Sequence, residues 1–292
     1  MVKILVTGAD GQLGCELREL APALSSEAEW EFTDVGELDI VDRQMSSRFL
    51  LMHQPDILIN CAAYTAVDKA ESEPELAKGI NAEGAANLAR ACRNISARMI
   101  HISTDFVFNG KQTTPYNEED KADPLSEYGR SKLEGEQAVL KESARGVILR
   151  TSWLYSSYGS NFVKTMLRLA KEHDEINVVD DQIGSPTWAQ DLAAAILQMI
   201  PRLKNEAPVI YQYANAGTAS WYDFAHAVVE MSGLECRIIP IPTSAYPTPA
   251  PRPPYSKIST ARIREDFDLT IPHWRDSLKT CLEQIRSQET QS

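Results

Sequence analysis

The chain has 292 residues, 43% hydrophobic and 24% charged, with no long polar or proline tract, so it can bury a sizeable core and is not wholly disordered. Acidic residues outnumber basic ones by 41 to 29, giving a net charge of −12 with the basic residues dispersed, so no nucleic acid partner is expected. Cys15, Cys61, Cys92, Cys236 and Cys281 form no CxxC pair, the first strand leaves no room for a signal peptide, and no apolar run is long enough for a membrane; a reducing, cytoplasmic location is expected.

The apolar run 3–7 predicts a strand, and residues 12–24 carry apolar side chains at helical spacing. The alternation continues with a strand over 30–35, a helix over 42–53 and a strand over 56–63 that is apolar on both faces. A helix over 74–94, a strand over 98–108, a turn-rich loop over 109–126, a helix over 127–143 and a strand over 146–154 follow. Strands and helices in this rhythm imply an α/β fold, a Rossmann-type doubly wound parallel sheet. Further on, helices over 161–173 and 188–200 and strands over 176–179 and 209–214 are predicted. The proline-dense stretch 240–254 reads as an extended surface loop and the tail 287–292 as frayed. Residues 1–155 are therefore expected to form the dinucleotide-binding domain. Residues 156–292 are expected to be mainly a smaller substrate lobe, with some segments returning to the Rossmann body.

Gly8-Ala9-Asp10-Gly11-Gln12-Leu13-Gly14 closes a strand and opens a helix. Three glycines there allow a pyrophosphate to approach the backbone, and the helix amides point at it. The GxxGxxG spacing is not the usual GxGxxG, and an ordinary tight turn is the bland alternative. Asp34, about 20 residues further on, and the nearby Asp39 are the carboxylates that could accept from the adenosine ribose; a solvated loop aspartate competes equally. Such a carboxylate favours NADH, while NADPH stays open.

Tyr128 and Lys132 stand at i and i+4, on one face of a helix. A free tyrosine titrates at about 10, and a neighbouring ammonium is expected to pull that value down, so that Tyr128 could serve a carbonyl that receives hydride. Alone the pair reads better as a solvated helix surface. Its setting, one crossover after Thr104 at the end of a strand, points to a ligand edge.

A hydroxyl residue, tyrosine and lysine in that order behind the glycine turn resemble the extended short-chain dehydrogenase/reductase family. The runs 11–14, 60–71, 103–110 and 181–187 narrow the resemblance to the dTDP-4-dehydrorhamnose reductases, over most of the chain. That resemblance implies reduction of the C4 ketone of dTDP-4-dehydro-β-L-rhamnose with NADPH or NADH. It also implies that Asp10, Gly11 and Gln12 cradle the pyrophosphate, that Asp39 and Ile40 lie near the adenosine, and that Ala62, Ala63, Tyr64 and Thr65 line the cofactor. Tyr128 would donate the proton with Lys132 as its partner, Thr104 and Asp105 would border the sugar, and Trp153 would pack against it. Asn161 and Arg252 are candidates for the nucleotide-sugar end, because one arginine can hold a diphosphate bidentately.

Phe106 stands where the family usually has tyrosine and Asn109 where it usually has aspartate. Some relatives hold magnesium at a dimer interface through glutamates; Gln190 stands in that region here, so no required metal is expected, and a homodimer is left open. Two other readings compete: a reductase of another nucleotide-linked 4-keto-6-deoxy sugar, and a cofactor-binding regulatory subunit similar to the methionine adenosyltransferase β subunit.

Overall fold

Apolar strands alternating with amphipathic helices build one covered sheet. A computed structural model describes residues 1–24, 28–142, 145–203 and 207–291. The chain runs β1 (Val2–Thr7), α1 (Gln12–Leu20), β2 (Ala28–Thr33), α2 (Arg43–His53), β3 (Ile57–Asn60), α3 (Val67–Ala70), α4 (Pro74–Lys78), α5 (Ala85–Ile95), β4 (Arg98–Thr104), α6 (Glu127–Glu142) and β5 (Gly146–Thr151). It continues through β6 (Leu154–Tyr155), α7 (Phe162–Glu172), β7 (Glu175–Val179), β8 (Ile183–Gly184), β9 (Thr187–Trp188), α8 (Ala189–Met199) and β10 (Val209–Tyr213). The last elements are β11 (Ala219–Ser220), α9 (Trp221–Ser232), β12 (Arg237–Ile241), α10 (Ala261–Phe267) and α11 (Trp274–Gln291).

Six parallel strands pair in the order β10-β5-β4-β3-β1-β2. Side chains alternate across a strand, so Ile4 and Val6 of β1 pack with Leu13 and Leu17 of α1 and Leu192 and Ile196 of α8. Leu5 faces the other way, towards Leu50 of α2, Leu88 of α5 and Val139 of α6. The sheet is thus covered on both sides, as its apolar strands require. β1 lies between β2 and β3, so the two crossovers leave in opposite directions and open a crevice at the carboxyl ends of β1 and β3. A second core joins Tyr155, Val163 and Met166 to Phe224 and Val228 of α9 and Leu278 and Leu282 of α11.

Several expected elements are cut short, each by an identifiable interaction. The helix expected over 74–94 is broken by a π turn, Gly79–Gly84. The strand expected over 98–108 stops at Thr104, whose hydroxyl accepts the Phe106 amide and turns the chain. That expected over 146–154 stops at Thr151, just before Trp153 takes a φ of +45°. The stretch 240–254 is not all surface loop: Pro240 lies in β12 opposite Val178, Ala250 and Pro253 are buried, and the Pro254 carbonyl accepts the Ile183 amide. α11 carries the tail 287–291 as helix rather than as a frayed end, while Ser292 and the expected helix end Ser143 fall outside the described residues. Among the described residues, no helix is long and apolar enough to cross a membrane.

Candidate active site

The glycine turn forms one wall of the crevice. Gly8 takes a φ of +67°, and a Cβ there would lie 2.5 Å from the Ala62 nitrogen; one on Gly14 would lie 2.5 Å from the Gly8 carbonyl oxygen. Glycine is therefore required for the turn itself and for the close packing of α1 on it. Cys15 is the first amide to bond back, to the Gly11 carbonyl at 2.9 Å, so the Gln12, Leu13 and Gly14 amides form the open first turn. That turn holds no acidic residue, and a pyrophosphate fits its donors and its partial positive charge. Leu13 is buried beneath it. Asp10 is exposed and pairs with Arg18.

Asp34 ties the end of β2 to this turn, accepting the Asp10 amide at 2.9 Å and the Val35 amide at 2.8 Å, which leaves each oxygen a second lone pair for a ribose hydroxyl. Asp39 is exposed and accepts the Val41 amide, whereas Ile40 is a core residue 5% exposed.

The end of β3 forms the facing wall. Asn60 accepts the Thr7 hydroxyl and the Ala62 amide, and its amide group donates to Nδ1 of His101, a ring that burial keeps neutral. Asn60 thereby fixes the start of the loop in which Ala62, Ala63 and Tyr64 are half-buried and Thr65 is exposed. Asn81, in the π turn and 1% exposed, clasps Tyr64 from both sides, accepting its amide at 2.9 Å and donating to its carbonyl at 3.0 Å. It also donates to Ser131, which in turn donates to the Tyr128 carbonyl. Asn81 thus joins the loop after β3 to α6. The Tyr64 phenol donates to Glu73 at 2.6 Å, and that bond pushes it up to about 12.

Along α6, Tyr128, Lys132 and Glu136 follow one another at four-residue spacing and all three are buried. The Tyr128 phenol meets the Thr104 hydroxyl, and Phe106 packs edge-on against its ring at 5.6 Å. Burial pushes the phenol up to about 12, opposite to the expected lowering by Lys132. Lys132 instead donates to the Ile102 carbonyl at 2.7 Å, and its own burial lowers it to about 8, with Glu136 favouring the charged form. Glu136 accepts Ser103 and two nitrogens of Arg150, a wholly buried pair at 2.7 Å.

Asp105 is 1% exposed and accepts from Thr104; its Oδ2 finds no partner of hydrogen-bond geometry, although the Ser256 hydroxyl is near enough to ease the charge. Burial raises this carboxyl to about 7.

The remaining candidates each have partners within the protein. Asn161 caps α7 and donates to Gln12 at 3.0 Å. Arg252 forks onto Asp68 at 2.8 and 2.7 Å and also donates to the Ala250 carbonyl. Trp153, half-buried, stacks on Trp221 at 3.6 Å. Of the two departures from the family pattern, Phe106 supports the Tyr128 ring and Asn109 bonds Asp123 and Tyr116. Gln190 accepts from Gln284, and among the described residues no group of three or more His, Cys, Asp or Glu could hold a metal.

Asn81, Glu136, Arg150 and Trp221 escape the sequence reading. Two glycines, Gly79 and Gly84, inside a helical run were the signal for the π turn, a feature common at functional sites.

A parallel sheet with a glycine turn at its switch point and a buried Tyr–Lys helix at its carboxyl edge defines an oxidoreductase of the extended short-chain dehydrogenase/reductase class. More narrowly, the chain belongs to the dTDP-4-dehydrorhamnose reductase family, and the family model described as RmlD substrate binding domain matches residues 2–287. It is 43% identical to the spore coat polysaccharide biosynthesis protein SpsK of Bacillus subtilis, over 98% of this chain and 99% of that protein. It is 39% identical to the dTDP-4-dehydrorhamnose reductase of Escherichia coli K12, over 97% and 98%. Among solved structures, the dTDP-4-dehydrorhamnose reductase of Clostridium acetobutylicum aligns with a TM-score of 0.92 at 41% identity, covering 98% of this chain and 100% of that one. That of Bacillus anthracis, solved in complex with NADP, also aligns with a TM-score of 0.92, at 39% identity over 97% and 100%.

Proposed function

We propose that the chain reduces the C4 ketone of dTDP-4-dehydro-β-L-rhamnose to dTDP-L-rhamnose with NADPH or NADH. The observation that carries this reading is the buried Tyr128, held protonated against Thr104 with Lys132 on the same face of α6, in a chain whose relatives bear that reductase name. NADPH is supported by the Bacillus anthracis relative and NADH by the carboxylates of Asp34 and Asp39.

The dinucleotide, when bound, supplies the hydride. Gly8, Asp10, Gly11, Gln12, Leu13 and Gly14 would cradle its pyrophosphate, and Asp34, Asp39 and the backbone at Ile40 its adenosine end. Ala62, Ala63, Tyr64 and Thr65 would line it, and Lys132 would hold the nicotinamide ribose. Tyr128 gives its phenolic proton to the C4 oxygen as negative charge develops there. Thr104 hydrogen-bonds the phenol and, by turning its hydroxyl proton from Asp105 to the phenolate left behind, would stabilise it together with the charge of Lys132. Asp105 and Trp153 border the sugar. We take residues 156–292 as mainly the substrate lobe, and place the enzyme in the cytoplasm, where its free cysteines stay reduced.

The test is oxidation of NADPH and of NADH, followed by absorbance, with dTDP-4-dehydro-L-rhamnose generated in situ and UDP-linked keto sugars as controls. Oxidation that requires the dTDP sugar is expected. Cofactor binding without oxidation by any keto sugar would remove the catalytic reading.

A further inference from the structure

We propose that Trp221 and Gly184 are positioning residues for Trp153, and that they fix this indole wall of the sugar site from the substrate lobe. The proposal rests on the reading above that Trp153 borders the sugar.

Three features hold Trp153 in place. Its backbone sits at φ +45°, a region bulky residues avoid, and is anchored there by the Thr187 amide, which donates to its carbonyl at 3.2 Å. The preceding residue is tied down too, because the Ser152 hydroxyl donates to the Ser185 carbonyl at 2.7 Å. The Trp153 indole then stacks on that of Trp221, with ring centroids 3.6 Å apart and planes 8° from parallel. Gly184 leaves the room this needs: a Cβ there would lie 2.6 Å from Cε2 and 2.8 Å from Cζ2 of Trp153.

Both contacts come from one small piece of structure. β8 and β11 pair antiparallel, Gly184 opposite Ala219 and Ile183 opposite Ser220. Ser220 caps α9 through a capping box with Asp223, which fixes the direction in which the helix leaves and so the place of its first residue, Trp221. Phe162 packs on the same indole at 4.7 Å, so Trp221 is itself wedged. Trp153 follows β5, where the chain leaves the sheet for the lobe, yet its side chain is placed by the β8–β11 bridge. A change in that bridge shifts the sugar wall and touches neither Tyr128, Lys132 nor the glycine turn.

The experiment compares Trp221→Leu, Trp221→Phe, Gly184→Ala and Trp153→Leu in the full chain, measuring kcat, KM for the dTDP sugar, KM for NADPH, thermal midpoint, and the far-ultraviolet circular-dichroism couplet of stacked indoles. Trp221→Leu and Gly184→Ala are expected to raise KM for the sugar about five- to tenfold, the scale of a lost aromatic pair, with KM for NADPH unchanged and Trp221→Phe restoring most of the loss. The couplet is expected in the parent and absent from Trp153→Leu and Trp221→Leu alike.

An unchanged sugar KM in Trp221→Leu and Gly184→Ala, beside a raised one in Trp153→Leu, would overturn the positioning role while leaving Trp153 as a sugar contact. An unchanged sugar KM in Trp153→Leu would overturn that underlying reading as well. Equal rises in both KM values with a lowered thermal midpoint would reduce the stack to a structural one and overturn the proposal. Should Trp221→Leu fail to fold, Trp221→Phe and Gly184→Ala decide it by the same measurements.

Discussion

Tyr128 carries its proton at neutral pH, as its proposed role requires. With the phenol raised to about 12 by burial, almost every molecule at neutral pH holds the form a proton donor needs, and the Thr104 hydroxyl, which donates to Asp105 in this structure, lies against it. Removing the hydroxyl by Tyr128→Phe should lower kcat by about 10²–10⁴, the range of general acid catalysis, while NADPH binding measured by titration stays unchanged. Lys132 is expected to set the alkaline limit of cofactor binding. It loses its proton as pH rises through about 8, and NADPH affinity should weaken over that interval in a titration series. The opposite holds for stability: the unfolded chain binds more protons at this lysine between about 8 and its ordinary value near 10.5, so the contribution of Lys132 to folding stability rises with pH there. Loss of binding without loss of the fold above that pH is the expected signature; affinity flat to pH ~10 would separate Lys132 from the ribose.

The π turn shows what an element can do that a regular helix cannot. An uninterrupted helix would not present Asn81 to both the Tyr64 backbone and Ser131, and this clasp fixes the loop after β3 relative to Tyr128. Asn81→Ala removes the side-chain partner of the part-buried Tyr64 amide and carbonyl and of the buried Ser131 hydroxyl oxygen. It should lower stability by about 2–4 kcal/mol in urea unfolding and depress kcat more than a surface change of equal destabilisation. Equal kcat in the two variants would make the clasp purely structural. The sheet was legible in the sequence because it follows from local pattern: apolar runs such as 3–7 and 56–63, the glycine turn, and the helical spacing of apolar residues between the runs. The pair Tyr128 and Lys132 was legible for the same reason, being four residues apart. What escaped depends on distant partners: Asn81 bonds a residue 50 positions away, Trp221 stacks on Trp153 from another part of the chain, and Glu136 is matched by an arginine in the next strand. The direction of the tyrosine shift escaped too, because spacing reveals the neighbouring ammonium but not the burial that outweighs it.

At the scale of the whole molecule, Asp68 and Arg252 join α3 to the proline-rich segment, 184 residues apart in sequence, through a bidentate pair that holds the Asp68 carboxyl below its ordinary value. The Ala250 amide adds a further bond to the same carboxylate. Asp68→Asn should therefore speed amide hydrogen exchange across 246–252 and change KM for the sugar nucleotide more than KM for NADPH; unaltered exchange would show that the prolines alone hold the segment. The return of β10 to the body has a consequence of another kind, for the order in which the protein can be made. A ribosome completes β5 some sixty residues before it delivers β10, and until then β5, buried on both faces in the finished fold, offers an uncovered edge to any passing strand. The emerging chain is thus open to misassembly at this edge while residues 152–208 are being synthesised, and a fragment ending at residue 155 would hold that vulnerability permanently.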